Sequence, residues 1–594
     1  MPSPAAVPSP SSMLDNLDFR TAHLGHFPLI RALITKLGID RVLNEVLPQD
    51  PRSRVSDADC VAVMILNILS GRCALYAMPQ YLAQIDTDVV LGSGCPADAF
   101  NDARLAGTLD HLFDAGTDYV LGRVVSGYLT EDVAPVAYSV HADTTSLSLE
   151  GAFDVIPAEG APTPARGFSK DHRPDLKQRV FGLSVHGSVG VPLAASMLDG
   201  NTSDKAANRW NIEALAEALP QEHDVTVVGD SKLVDPSLFG RLLDEGFHFV
   251  SLVPKTYGVR AELVELVRQE GGELPELARS PGRTKADPDN VYRGRSFRRS
   301  LPVEDPHDKT PREVEMTLVV VRSDAQARKF DNALDKRLVK EEGAFMNAVK
   351  RANKRHLRCR EDAEEARHAL LDRLKWQTCE LTIEEVKVTD KRPRAGRPRA
   401  GEVPPSHTEY QLVYDHLTRN EAAIERAAFH AAHYLLVTDR DDWDAARILQ
   451  EYRHQSLIEG TCGFRWLKNV ALVAPIFLKT PHRIAALGLV FVLALMVRND
   501  LQFELRRQLE AKDATVRGRK ERVRTQRPTA ETALLNFMGL SSGLWYDRDR
   551  LVKRRVDALK PDAITILELL GIPPSVFTTP YDKWPPLAGE IPGM

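Results

Sequence analysis

Between residues 136 and 254 the chain repeats a short vocabulary of buried strands and amphipathic helices, and this pattern constrains the fold more than any other feature. VAYSVHADTTSLSLEG (136–151) alternates as a strand does, with Asp143 in its middle. RVFGLSVHGSVGVPLAASMLDGN (179–201) reads as a hairpin that turns near Gly187–Gly190. An amphipathic helix, NRWNIEALAEALP (208–220), leads to a second strand in DVTVVGDSKL (224–233) that ends at Asp230, and GFHFVSLVP (246–254) is a third. Strand, hairpin, helix, strand, helix, strand points to an α/β fold, a mixed sheet with helices packed on it. Asp143 and Asp230 lie at or near the strand ends where open α/β sheets place their ligands. The strand pattern is interrupted after 254 and returns as HYLLVTD (433–439), so the core is expected in two parts, 131–254 and 431–510.

A chain of 594 residues exceeds one hydrophobic core, so several substructures are expected. Residues 1–20, rich in Pro, Ser and Ala, predict a flexible leader. Residues 21–130 predict a helical N-terminal domain, with helices separated at Gly38 and Gly71. An α+β insertion is expected over 255–430. It mixes short strands (VEMTLVVVRS, CELTIEEVKVT, HTEYQLVYDH) with a charge-dense helical segment, 324–376. That segment has 14 basic and 10 acidic residues beside an apolar face of Phe330, Leu334, Leu338, Phe345 and Val349, and Gly343 is expected to break it. It reads as a basic lever against nucleic acid or as a solvated arm. Residues 511–594 predict a basic segment followed by C-terminal helices.

Six cysteines without a CxxC argue against a structural zinc site and a disulfide framework. The longest apolar run, IAALGLVFVLALMV (484–497), is short for a membrane span and predicts a core helix. The N-terminus has no basic region followed by an apolar run, so a soluble, cytoplasmic protein without a membrane partner is expected. A net charge of −5 neither supports nor excludes a nucleic-acid partner.

The chemistry concentrates in EYRHQSLIEGTCGFRWLKN (451–469). At about 100° per residue, Tyr452, Gln455 and Glu459 fall on one stripe of a helix. A lone helical carboxylate is ordinarily a solvated charge. With Asp143 in one strand and Asp230 just past another, however, Glu459 completes three oxygen ligands on separate elements of one sheet. That is the donor set of hard divalent cations. Two Mg2+ ions about 3.5–4 Å apart activate a water or 3′-hydroxyl and stabilise the leaving oxygen of a phosphodiester. His141 shares the Asp143 face by alternation and reads as a structural histidine.

GFSKDHRPDLKQ (167–178), LDGNTSDKAAN (198–208), VVGDSKL (227–233), the YRHQSLIE…GFRWLK block (452–468) and IFLKTPHRIAALGLVFVLALMV (476–497) carry a resemblance. Over roughly residues 21–575 the chain resembles a DDE-type transposase of bacterial insertion sequences. The branch is the one with a β-strand-containing insertion before the catalytic glutamate. The resemblance implies a ribonuclease H-like core, with Asp143, Asp230 and Glu459 as catalytic and metal-holding acids. It implies two Mg2+ ions, for which Mn2+ may substitute, and cleavage and strand transfer at the ends of the protein's own element. The implied partners are double-stranded DNA, as terminal inverted repeats and target, and a second copy in a synaptic homodimer. The implied location is the bacterial cytoplasm, at the nucleoid when bound to DNA. Two further readings stay open: a catalytically silent, transposase-derived DNA-binding protein, and a nuclease without strand transfer.

The family pattern along the helix is Y-x-x-R-x-x-x-E-x-x-x-x-x-x-K. Here Gln455 stands at the arginine position, and Lys468 follows Glu459 by nine residues instead of seven. On a straight helix Lys468 would face the opposite side. Either Gly460 and Gly463 break or re-aim the helix, or Lys468 does not fill the usual DNA-contact role and Arg465 is the candidate substitute. Further DNA contacts are candidates at Lys170, Arg173 and Lys177, where a polar turn is the alternative. Arg397 lies in DKRPRAGRPRAG (390–401), whose Gly-Arg-Pro texture is similar to an AT-hook. Arg517, Arg519, Lys520 and Arg522 lie in AKDATVRGRKERVRTQRP (511–528), with seven basic and two acidic residues, expected to be exposed.

Overall fold

A computed structural model describes residues 17–71, 73–129, 137–149, 158–169, 173–219, 222–271, 273–282, 287–390, 406–460, 463–473, 480–520 and 522–587, and for residues 71, 457, 459 and 469–473 the backbone alone. Strand β1 (Asp18–His23) starts inside the expected leader. Helices α1 (Phe27–Lys36), α2 (Ile39–Val46), α3 (Asp57–Leu66), α4 (Met78–Leu82), α5 (Thr87–Leu91), α6 (Asp102–Asp114) and α7 (Thr117–Tyr128) follow. Local chemistry sets their ends. Ser56 and Asp59 form a reciprocal capping box on α3, and the Asn101 side chain caps α6. Asp57 is buried and paid for by Arg104 (2.6 Å), Thr108 (2.6 Å) and His111 (2.8 Å), which tie α3 to α6.

The sheet begins with an antiparallel meander of β2 (Ala137–Leu149), β3 (Lys177–His186) and β4 (Pro192–Leu198). Helix α8 (Asp204–Ala218) leads to β5 (Asp224–Gly229), and α9 (Pro236–Asp244) leads to β6 (His248–Leu252). β5 runs parallel to β2, and β6 parallel to β5. Helix α10 (Gly258–Gln269) precedes β7 (Glu276–Ser280), β8 (Asn290–Glu304) and β9 (Pro311–Ser323). Next come α11 (Asp324–Asn353), α12 (Arg360–Leu371), β10 (Gln377–Thr378), β11 (Thr382–Thr389), β12 (Ser406–Val413), β13 (Thr418–Arg419) and α13 (Glu421–Ala432), and the chain returns through β14 (His433–Thr438).

Among the described residues, nine strands join in the order β4-β3-β2-β5-β6-β14-β9-β8-β7. The 255–430 segment therefore does not stand apart as a whole. Strands β7, β8 and β9 extend the same sheet, because β14 pairs with β6 on one side and with β9 on the other. What stands off is α11 and α12 with the β11–β12 hairpin, around Phe345, Val349, Ala352, Leu370, Leu381 and Leu412. Helix α11 runs unbroken through Gly343. A helical glycine costs only about 1 kcal/mol relative to alanine, less than the burial of Leu338, Phe345 and Val349 around it returns.

After the sheet come α14 (Ala445–His454), α15 (Ser456–Glu459), α16 (Phe464–Val473) and α17 (Pro481–Ala511). Helix α17 is long and apolar enough to cross a membrane, yet 94% of its apolar window is buried inside the protein. It packs on α3, α6, α7 and β4. Strands β15 (Val516–Arg517) and β16 (Arg524–Thr525), helix α18 (Ala530–Leu534), strands β17 (Ser541–Asp547) and β18 (Arg550–Val556), and helix α19 (Pro561–Leu569) follow, with short helical turns at Pro574–Phe577 and Tyr581–Lys583. Beside the helices α18 and α19, this region also carries the β17–β18 hairpin. β17 pairs with β1 as well as β18, joining the two ends of the chain in one small sheet.

A polar clamp fixes the exit from β14. The buried Arg440 guanidinium pairs with Asp224 and donates to the Thr226 hydroxyl (Nε 3.2 Å, Nη2 3.0 Å) at the start of β5. Beside it, Asp439 holds His248 Nδ1 (2.6 Å) and accepts the Phe249 N–H (2.9 Å). Arg440→Ala is expected to lower unfolding stability by about 1–2 kcal/mol in urea titrations, since it strands the buried Thr226 hydroxyl while Asp224, 38% exposed, turns to solvent. The Asp439 hydrogen bond raises the pKa of His248. A raised folded-state pKa gives stability that is complete below about pH 6.5 and fades as pH climbs through the folded value. The stability gap between wild type and His248→Gln is therefore expected to narrow as pH rises from about 6 to about 9.

Candidate functional site

β2 and β5 lie side by side in parallel, with Ala137 opposite Asp224 and His141 opposite Val228. The same offset, carried two residues further, sets Asp143 beside Asp230 just past the last paired rung. Alternation puts Asp143 on the face of His141 and Asp230 on the face of Val228, and adjacent strands lie about 4.8 Å apart. The two half-buried aspartates thus arise from neighbouring positions on one face. The backbone at Asp230 is pinned where it leaves the sheet. Its carbonyl accepts the Ser251 hydroxyl (2.7 Å) and the Leu233 N–H (3.0 Å), and its Oδ1 accepts the Lys232 N–H (2.9 Å). Asp143 Oδ1 accepts the Thr144 N–H (2.6 Å).

Helix α14 roofs this face. Asp444 caps it by accepting the Arg447 N–H (2.8 Å). Ile448 and Leu449 pack with Val228, Val250, Val319, Val321, Leu436 and Trp443 in a separate apolar cluster. The stretch 451–469, expected as a helix that Gly460 and Gly463 break or re-aim, is three helices. α14 ends at His454, α15 ends at Glu459, and α16 restarts at Phe464. Gly460 leaves helical geometry at φ −88°, ψ −144°. A Cβ on Gly463 would overlap the Ile458 carbonyl, so this turn has no room for a side chain. α15 lies against β2 with Ile458 in the main core, which brings the Glu459 backbone to the strand that carries Asp143. The Glu459 side chain lies outside the described atoms. Among the described residues, no three His, Cys, Asp or Glu side chains form a metal-holding group.

The helix break changes the placement of the remaining candidates. Tyr452 packs on the apolar cluster, and Gln455 is buried at the junction of α14 and α15, so neither lies on an exposed stripe. The straight-helix projection of Lys468 no longer applies. Arg465 is exposed and Lys468 half-buried, three residues apart on one side of α16. Arg173 is locked to Asp175 within its own turn (2.9 and 2.8 Å), and Lys177 opens β3, half-buried. Lys170 and Arg397 lie outside the described residues. Arg519, Lys520 and Arg522 are exposed in the turn between β15 and β16, whereas Arg517 is half-buried in β15.

Sequence reasoning missed Glu451. It lies about 80° from the Glu459 stripe on a straight helix, so no periodicity marks it. α14 turns it toward β2, where it meets Ser139 and lies 3.8 Å from His454 Nδ1. Burial pushes its carboxyl pKa up, but His454, Ser139 and His141 together more than reverse this and hold it below the ordinary value. His141 itself is fully buried, and burial pushes its pKa down to about 4. Neither of its ring nitrogens has a hydrogen-bond partner among the described residues. A neutral imidazole therefore lies next to Asp143 on the strand.

Residues 19–126 match a family described as a domain of unknown function, DUF4277. No match was found among curated proteins. Among solved structures the chain is similar to a piggyBac transposase synaptic complex with hairpin DNA, at a TM-score of 0.33 and 9% identity, covering 87% of this chain and 81% of that one. At that score the likeness says nothing further about this chain.

Neighbouring strand positions lie within disulfide reach, about 4.4–6.8 Å between Cα atoms. The double variant Asp143→Cys, Asp230→Cys is expected to cross-link on mild oxidation, read as a linked peptide pair by mass spectrometry. Absence of that pair under every oxidant would separate the two positions.

Proposed function

We propose that this protein is a DDE-type DNA transposase, with a ribonuclease H-like core that cuts DNA at the ends of its own element and joins the freed ends to a target. The observation that carries this reading is the neighbouring placement of Asp143 and Asp230 under a roof helix whose continuation ends at Glu459. The order β4-β3-β2-β5-β6 supports a ribonuclease H-like core: three antiparallel strands, then two parallel strands reached through α8 and α9.

On this reading Asp143, Asp230 and Glu459 would hold two Mg2+ ions, or Mn2+, since carboxylates are the donors such hard cations prefer. When bound, the ions supply Lewis-acid activation of the attacking oxygen and charge compensation at the phosphodiester. The chain's own part is to hold the acids. The Asp230 backbone is fixed through Ser251, and the clamp at Arg440 anchors the loop that leads into α14. His141, kept neutral by burial, adds no positive charge beside them. Arg465 and Lys468 follow directly on the turn after Glu459 and serve the DNA backbone. The exposed Arg519, Lys520 and Arg522 add sequence-independent phosphate contacts. The partners are duplex DNA, as terminal repeats and target, and a second copy of the chain in the synaptic complex.

Asp143→Asn, Asp230→Asn and Glu459→Gln are each expected to abolish cleavage of transposon-end DNA while leaving end binding within a few-fold of wild type, because shape is kept and charge is removed. Nicking at the wild-type rate by purified Asp230→Asn would sink the assignment. Replacing Arg519, Lys520 and Arg522 together by Ala is expected to flatten the log–log salt slope of duplex binding by about 2–3, roughly 0.9 per lost phosphate contact. An unchanged slope would make that hairpin a solvated surface only.

A further inference from the structure

The small sheet that joins the chain ends has one face turned inward and one turned out. Inward, Ala22, Ser542 and Leu544 are buried, and Arg554 is neutralised by Asp86 (2.8 and 3.0 Å) and Asp88 (2.9 Å) of the N-terminal helices. Outward, the register sets Phe19 beside Trp545 beside Lys553, and Thr21 beside Gly543 beside Arg555. Phe19 is 53% exposed, far more than an isolated packing role needs. Its ring centroid lies 4.8 Å from that of Trp545, and a Cβ on Gly543 would come within 3.0 Å of the Phe19 ring and 3.2 Å of the indole. Bare backbone at Gly543 thus lets both rings close into one apolar floor. Lys553 Nζ stands 5.5 Å from the Trp545 ring centroid, and Lys553 and Arg555 are both exposed on β18, an edge strand among the described residues. Of the hairpin's own acids, Asp549 sits at its turn, and Asp547, the last residue of β17, lies opposite Arg550 at the end of this row.

We infer that the outer face of β1, β17 and β18 is a binding platform for single-stranded DNA. Aromatic faces stack on bases only when the bases are unpaired, and a row of cations beside them follows the phosphates. Charge complementarity selects this occupant over a second copy of the chain. Two β18 edges in register would bring Lys553 and Arg555 against like charges, and edge cations oppose strand-to-strand pairing. The platform shares no residue with Asp143, Asp230 or Glu459, so it stands or falls separately from the catalytic reading.

The test uses the full-length protein and a labelled dT oligomer of about 15 nucleotides, within the span such surfaces cover. By fluorescence anisotropy, Phe19→Ala and Trp545→Ala are each expected to weaken binding about ten-fold, whereas Trp545→Phe, which keeps a stacking ring, stays within about three-fold. Lys553→Ala with Arg555→Ala should reduce the salt slope by about 1.4, roughly 0.7 per contact on a single strand. Duplex affinity should be unchanged in all of them. Phe19 is exposed, so its variant reads the surface even where Trp545→Ala fails to fold. Undiminished dT binding by Phe19→Ala, an equal loss on duplex DNA, tighter binding of the corresponding rU oligomer, or a smaller solution mass for Phe19→Ala than for wild type would each overturn the inference.

Discussion

The parallel pairing of β2 with β5 is the contact on which the rest of the catalytic half depends. Parallel neighbours need a crossover, and α8 supplies it, returning the chain so that both strands point the same way. Asp143 and Asp230 then sit at the same end of the sheet and, because the offset between their strands is constant, on the same face. An antiparallel β5 would carry Asp230 to the opposite end. The same pairing leaves Val228 as the apolar anchor for α14, so the helix that leads to Glu459 docks where the aspartates already are.

The remaining architecture holds that sheet in place from its flanks. α17 is the common wall between the N-terminal helices and β4, and its polar residues fasten it at chosen points. Asp110 of α6 takes both His482 (3.0 Å) and Arg483 (2.7 and 2.8 Å), and Tyr128 donates to Asp500 (3.0 Å). Asp500 is half-buried, and desolvation pushes its pKa to about 6 despite the Tyr128 hydrogen bond. Apolar burial supplies most of the driving force here, and the paired charges set the register. At the far side, α11 and α12 with the β11–β12 hairpin keep a small core of their own, and α11 also packs on β8 and β9.

Much of this was legible in the chain because period and burial are local properties. The alternation around Asp143, the hairpin at Gly187–Gly190, the strand before Asp230 and the returning strand at 433 all show in a window of a few residues. So does the core character of α17, since its unbroken apolar run, 484–497, is short for a membrane span. β17 and β18 were less visible. SSGLWYDRDRLVKRRV carries an arginine on the inward face, Arg554, tolerated there only because Asp86 and Asp88, more than 460 residues away in sequence, meet it.

Sequence by itself determined which residues could be strand, helix or turn, and it marked two strand acids and one helical acid as chemically suggestive, because side-chain period and charge are written residue by residue. Only the tertiary structure decided that β7, β8 and β9 belong to the central sheet, since β14 must sit between β6 and β9 for that to happen. It also decided that the helix of Glu459 is broken. Gly460 and Gly463 permit a turn anywhere, but the approach of Gly463 to the Ile458 carbonyl, with Ile458 drawn into the main core, is what makes the chain turn there. Contacts between segments distant in sequence depend on which surfaces are left to bury once the local elements exist, and no local pattern encodes that.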